Sequence, residues 1–257
     1  MSRRQQIVEL IEERGFLSVT MLARQFGVDA STIRRDLDRL AADGEILRTH
    51  GGAAPVEAPA PSHGAVPQLP EKQAIGAAMA ERIRENQTVL LDSGTTCLEV
   101  ARHLDHSHLT VVTHDLLVGV EVARKPQINL VFIGGELLPT STSMWGPTSL
   151  QQLENMRFNV AVFSAYAVMD DGIYASSSYS IELKRKMRSV ATEAFFVADS
   201  TKFGREALFK VFGFEDFTAG LTDTTLDPIR AAHCPVPLIR VSPSPTAQPA
   251  GRGRSSH

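Results

Sequence analysis

Cysteine is scarce in this chain, and long apolar runs and excess positive charge are missing from it. Its 257 residues hold two cysteines, Cys97 and Cys234, too few for a disulfide framework, so a reducing cytoplasm is the expected home. No apolar stretch is long enough to span a bilayer and the start lacks a signal-peptide pattern, so no membrane partner is expected. The formal net charge is -3, which leaves little bulk attraction for nucleic acid. No internal repeat is visible. The length and ordinary apolar content allow two domains with proper cores.

What is present starts with Ser31 to Leu40. As a helix, this stretch lines up Ile33, Leu37, Leu40 and Ala41 as one apolar stripe. Ser31, Arg35 and Arg39 point away from it, with Thr32 and Arg34 on its flanks. Arginines and hydroxyls opposite a buried stripe suit the major groove, where Arg bridges two acceptors on guanine and hydroxyls take phosphate or base contacts. Alone, the stretch would read as a solvated amphipathic helix; its neighbours decide. A first helix runs from about Arg3 to Arg14, closed by Gly15. Ser18 caps a second, whose buried side is Val19, Leu22, Ala23 and Phe26. Gly27 ends it, and Asp29 supplies the next N-cap oxygen. Two helices joined by a short turn containing Gly make a helix-turn-helix, the second being the reader. Gly44 is a C-cap, and Glu45 to Ala53 reads as a strand with a Gly-Gly tip. This is a β-wing, with Arg48 and His50 placed for the DNA backbone or minor groove.

The run Thr32-Ile33-Arg34-Arg35-Asp36-Leu37, followed by Leu47-Arg48-Thr49-His50-Gly51-Gly52-Ala53, resembles the DeoR family of bacterial transcription regulators. The family usually has Ser where this chain has Asp29; both cap helices. Over residues 1–53 eight arginines meet eight acidic residues, so affinity for operator DNA must come from the placement of a few arginines. Dimerisation would double those contacts.

Residues 1–57 are therefore read as the winged helix-turn-helix, with the helix-turn-helix itself at about 20–39. Five prolines between Ala54 and Pro70 make 58–70 an extended linker. The tail 242–257, rich in Ser, Pro, Gly and Arg, reads as disordered. Between them, 71–241 alternates strand candidates with helices. The strands are Thr88–Asp92, Thr110–Thr113, Asn129–Gly134, Asn159–Ser164, Glu193–Asp199, Thr218–Asp223 and Pro237–Val241. Helical stretches run from Glu71 to about Asn86 and over Leu98–Leu104, Asp115–Ala123 and Ser180–Val190. The pattern predicts a largely parallel α/β sheet covered on both faces, with ligands outside the carboxyl ends of its strands.

The first such turn is Asp92-Ser93-Gly94-Thr95-Thr96. Gly allows close backbone approach, while the hydroxyls and unpaired helix amides favour an anion such as phosphate. A plain Ser/Thr-capped turn explains the residues equally well. Thr113-His114-Asp115, Gly134-Gly135 and Asp199-Ser200-Thr201-Lys202 follow later strands, and Lys184 and Lys186 precede the fifth. Each lysine alone reads as solvated surface; together they supply the charge a phosphorylated sugar needs.

These turns also resemble the DeoR C-terminal sensor domain, so the likeness spans about residues 1–223. The resemblance implies a fold of the sugar-phosphate isomerase type and phosphate binding by Ser93, Gly94, Thr95 and Thr96, with Lys184 and Lys202 lining the pocket. Asp92, Thr113, His114, Gly134, Gly135 and Tyr166 are expected around the sugar. The family commonly has Asn-Ser in place of His114-Asp115, and often Asp-Gly in place of Tyr166-Ala167.

His103, His106 and His108 are spread around a helix end, a poor metal arrangement, and no cofactor is expected. Cys97, just inside a helix, reads as a nucleophile with a lowered pKa or, more commonly, a small buried residue. Trp145 reads as packing or a pocket wall. The expected function is a DNA-binding regulator, not an enzyme: a homo-oligomeric repressor of carbohydrate genes, released from operator DNA by a phosphorylated sugar. The alternative is an isomerase-like enzyme with a DNA-binding appendage, needing a carboxylate base for which Asp170 and Asp171 are the candidates. A purely structural DNA-binding protein would not need a sheet domain with such turns.

Overall fold

The computed structural model describes residues 2–14, 17–49, 51–55, 66–138 and 141–243. Gly15, His50, most of the predicted linker and the tail from residue 244 lie outside them. In the first part, helix α1 (Arg3–Arg14), strand β1 (Leu17–Ser18), helices α2 (Val19–Phe26) and α3 (Ala30–Ala42), and strands β2 (Ile46–Thr49) and β3 (Gly52–Pro55) follow in order. Local chemistry sets the joints. Ser18 Oγ accepts from the Met21 amide at 3.2 Å, and Gly27 closes α2 in the left-handed region at φ 63°. Ile7, Ile11, Leu22, Ile33, Leu37, Leu40 and Ile46 are buried as one core. The reader stripe is thus the inner face of α3. Strand β1, too short to show periodicity, pairs with β3 to make a three-stranded wing in the order β1-β3-β2. Asp36 is buried on α3, where Arg3 bonds it at 2.7 Å.

The second part begins with α4 (Leu69–Ala80), two residues inside the predicted linker. It is followed by β4 (Thr88–Leu91), α5 (Thr95–His103), β5 (Leu109–Thr113), α6 (Leu116–Ala123) and β6 (Ile128–Phe132). Next come β7 (Glu136–Leu137), β8 (Met144–Trp145), α7 (Pro147–Leu153) and β9 (Phe158–Ser164). Then come β10 (Ala167–Met169), β11 (Gly172–Ala175), α8 (Ile181–Ser189), β12 (Ala191–Val197) and β13 (Phe209–Phe212). The last elements are β14 (Ala219–Asp223), α9 (Pro228–Ala232) and β15 (Leu238–Val241). All seven predicted strands are found in one parallel sheet, ordered β15-β14-β12-β9-β4-β5-β6. Successive residues of each strand feed opposite faces. Val89, Leu91, Val111, Val160 and Val162 pack with α4, α5 and α6, while Leu90, Val112, Ala161 and Phe163 pack with α7 and α8.

Helices α7 and α9 and two further features were not predicted in this domain. Strands β10, β11 and β13 form a separate antiparallel sheet, and β7 with β8 forms a hairpin. Asp170 and Asp171, the candidate acids, are the exposed tip of the β10–β11 hairpin. There Asp171 accepts from Tyr174 at 2.9 Å and pairs with Lys210 at 2.8 Å.

Helix α4 crosses α5 at Gly76, where an added Cβ would lie 2.6 Å from the backbone carbonyl carbon of Glu99. Gly76→Ala should therefore push α4 off α5. Ala is the better helix former by about 1 kcal/mol, so an open site would melt higher. The clash predicts a net loss of about 1–3 kcal/mol, read as a lower denaturant midpoint; an unchanged or higher midpoint would refute the close packing.

Candidate functional site

On α3 the structure exposes Ser31, Arg34, Arg35 and Arg39 and leaves Thr32 half-buried. Asp29 caps the helix with more than one bond. Its carboxylate accepts from the amides of Ser31 and Thr32 at 2.9 and 3.0 Å, and from both their hydroxyls. The Ser31 hydroxyl foremost, then the Thr32 amide and hydroxyl, hold this exposed carboxyl far below the usual range. Arg35 Nη2 donates to Ser31 Oγ at 3.3 Å. Arg48 is held at the surface of the head: Nε donates to Asp38 at 2.9 Å and Nη1 to the Gly52 carbonyl at 2.6 Å, tying wing to reader helix. Sequence reading missed that tie, since the pair lies ten residues apart on two different elements.

In the sheet domain, β4 is followed by β5 and β6 on one side, after which the chain returns to place β9 on the other. The carboxyl ends of β4 and β9 thus form the switch point where such sheets bind ligands. Asp92 occupies it, fully buried, its amide donating to the Val162 carbonyl at 2.9 Å. Gly94 follows at φ 105°, where an added Cβ would stand 3.0 Å from Ser164 Oγ. No side chain caps α5, whose first amides have no acceptor within the helix. Ser93 and Thr95 are half-buried and Thr96 is buried.

Lys184 of α8 reaches this point and donates to Asp92 Oδ2. On the other side His114 Nε2 lies 3.7 Å from Asp92 Oδ1, and both groups are wholly buried. Among the described residues, Oδ1 and both ring nitrogens of His114 have no hydrogen-bond partner. Burial pushes the imidazole below its ordinary range, against the pull of Asp92, so the ring is neutral. Thr113 is buried too, its hydroxyl accepting from the Asp115 amide at 3.2 Å. Asp115 caps α6 and accepts from Thr142 at 2.6 Å. Cys97 adjoins the cluster, with Ser164 Oγ donating to its sulfur at 3.2 Å. Cys97 is fully buried, and burial, then Asp92, pushes that thiol upward, the environment of a packing residue.

Other predicted residues stand elsewhere. Tyr166 follows β9 and accepts from Arg205 at 2.6 Å, with the guanidinium 3.9 Å over its ring centroid. Lys202 ends a one-turn 3-10 helix after β12, at the same edge of the sheet. Gly134 and Gly135 serve the fold: the Gly134 carbonyl accepts from Ser149 at 2.8 Å, and a Cβ on Gly135 would strike Ser149 and Trp145. Lys72 was not singled out from sequence, because nothing local marks it. It is buried on α4, donates to the Pro67 carbonyl at 2.6 Å and lies 3.9 Å from Asp199. A cavity of about 880 Å³ over Ser200, Thr201, Thr225, Arg230 and His233 includes neither Asp92 nor Lys184. Among the described residues no group of three or more His, Cys, Asp and Glu could hold a metal.

A winged helix-turn-helix on the same chain as a parallel α/β domain marks a DNA-binding regulator. Residues 3–58 match the DeoR-like helix-turn-helix domain and 68–224 the DeoR C-terminal sensor domain. The chain belongs to the DeoR family. It is 34% identical over 230 residues to the transcriptional repressor AccR of Agrobacterium fabrum, covering 86% of this chain and 89% of that one. It is 32% identical over 223 residues to the glycerol-3-phosphate regulon repressor of Escherichia coli, covering 84% and 88%. Ribose 5-phosphate isomerase A of Neisseria gonorrhoeae covers 51% of this chain and 52% of its own at 16% identity, with a TM-score of 0.38, too distant to carry an argument.

Two outcomes test the buried cluster. Lys184→Met should cost about 3–5 kcal/mol by stranding the Asp92 charge, and adding Asp92→Asn should recover most of it; a double variant no better than the single would contradict the pairing. His114 is protonated more readily in the unfolded chain, so stability should fall as pH drops below the ordinary value of 6.5. Urea midpoints between pH 7 and 5 should therefore decline less steeply in His114→Asn; parallel curves would mean that the ring is not held neutral.

Proposed function

We propose that this protein represses genes of carbohydrate metabolism and leaves its operator when a phosphorylated sugar binds the sheet domain. The observation that carries this reading is the uncapped start of α5 beside the buried Asp92–Lys184 pair, in a chain that also bears a reader helix. Residues 1–57 act as the DNA-binding head, 58–70 as its linker and 71–241 as the sensor. Ser31, Thr32, Arg34, Arg35 and Arg39 read or grip the operator, with Arg48 and His50 on the wing. Ser93, Gly94, Thr95 and Thr96 hold the phosphate through amides and hydroxyls, aided by Lys184 and Lys202. Asp92, Thr113, His114 and Tyr166 border the sugar, with Gly134 and Gly135 shaping the adjoining wall.

An isomerase needs a carboxylate free to take a proton from carbon. Asp92 is held by Lys184, Asp171 is bonded at an exposed hairpin tip, and Asp170 at the same tip borders the separate cavity that contains neither Asp92 nor Lys184, which supports a sensor rather than an enzyme. No described helix is long and apolar enough to cross a membrane, in keeping with a protein that works where the DNA is. One head reads too few bases for useful specificity, so the protein acts as a homo-oligomer on half-sites about 34 Å or a multiple apart.

Mobility shifts on its own promoter region, with a panel of phosphorylated sugars, test the reading. Arg35→Ala should lose about 1–3 kcal/mol of discrimination at one base pair per half-site. Thr95→Ala with Thr96→Ala, or Lys202→Glu, should bind operator normally yet ignore the sugar that releases the parent protein. Loss of operator binding in those variants without any sugar would show that the crevice is structural or that the ligand is a co-repressor.

A further inference from the structure

The reader helix is capped by an acid, Asp29, and the geometry gives that acid a consequence beyond capping. An ionised carboxylate accepts hydrogen bonds and cannot donate them. Asp29 stays ionised at any physiological pH, because the hydroxyl and amide bonds it receives hold its pKa far down. The proton in each of its bonds to a hydroxyl must therefore come from Ser31 or Thr32. Ser31 gives its proton to Asp29 Oδ1, and Thr32 gives its proton to Oδ2 at 3.0 Å. Each hydroxyl has only one proton. With that proton committed, both oxygens face outward only as acceptors, and Ser31 Oγ already accepts from Arg35.

We infer that Asp29 is a positioning residue for sequence recognition, turning the first turn of α3 into an acceptor surface that selects the exocyclic amino groups of adenine or cytosine. Those amino groups are the donors of the major groove, whereas phosphate oxygens and the guanine edge offer acceptors. The first-turn hydroxyls thus give up phosphate grip and gain base discrimination, while Arg35 remains for guanine. The carboxylate also occupies the amides that would otherwise attract a phosphate to this helix end. A head with balanced charge gains little from general attraction, so specificity through a few committed groups is the remaining route. This inference rests on α3 being the reader helix.

The test is selection from a randomised duplex library by the full-length protein, its Asp29→Ser variant and its Asp29→Asn variant, with thermal melts of each. Asn retains the cap, being as good an N-cap as Asp. Its carbonyl still takes the Ser31 proton, but its amide must donate to Thr32 and so frees the Thr32 proton. The parent should show a preference of about five- to tenfold for adenine or cytosine at the base pairs facing Ser31 and Thr32. Asp29→Asn should lose it at the Thr32 position alone, with an unchanged melt. Asp29→Ser should lose it at both positions and bind unrelated duplex about fivefold or less more tightly, having shed a charge near phosphates. Base profiles identical in all three proteins would reduce Asp29 to a helix cap and overturn the inference. A parent without any base preference would overturn the reader-helix reading and this inference together.

Discussion

The ion pair between Asp92 and Lys184 is the contact on which the sheet domain's working end depends. Taking a carboxylate and an ammonium out of water costs several kcal/mol per ion, so the pair persists only where the surrounding fold delivers both groups accurately. Strand β4 delivers Asp92, anchored by its amide to β9; helix α8 delivers Lys184 from 92 residues further along. The pair forms only when β4, β9 and α8 are all in place. What it contributes is placement more than net stability. A positive and a negative group are fixed at the open seam of the sheet, beside helix amides that lack acceptors.

That arrangement leaves Asp92 Oδ1 and the His114 ring buried and unpaired, at a cost that native proteins tolerate mainly at functional places. A hydroxyl lying within reach of both would accept from the imidazole and donate to the carboxylate, offsetting the cost when a ligand arrives. The reader helix stands on a separate head across a proline-rich stretch. A ligand therefore alters DNA affinity only by favouring one arrangement of the heads over another. Lys72 bonds the Pro67 carbonyl at the end of that stretch and lies 3.9 Å from Asp199 at the start of the Lys202 turn.

Much of this was legible in the chain itself. Short β-branched runs such as Thr88–Leu91 and Leu109–Thr113 announce buried parallel strands, because only a sheet covered on both faces asks for apolar residues in succession. The caps at Ser18 and Asp29 and the left-handed Gly27 are local chemistry, visible residue by residue. Hidden were contacts that sequence separation conceals: Lys184 on Asp92, Lys72 by Asp199, Arg205 on Tyr166, Arg48 on Asp38. Each joins residues on different elements that no local sequence pattern connects. The β10–β11–β13 sheet is antiparallel and lies outside the strand–helix alternation that marks the parallel strands, and its Asp170-Asp171 tip resembles chemistry more than a turn. The direction of the Ser31 and Thr32 hydroxyls became visible only with Asp29 beside them.

The central claim is that ligand and DNA are bound at separate places, the ligand at the β4–β9 seam and the DNA on α3. Amide hydrogen exchange of the full-length protein, alone and with the phosphorylated sugar that releases its operator, tests this most directly. The account predicts slowed exchange over residues 93–98 and 113–116, with α3 unchanged in the absence of DNA. Slowing confined to α3, or none at residues 93–98, would contradict it.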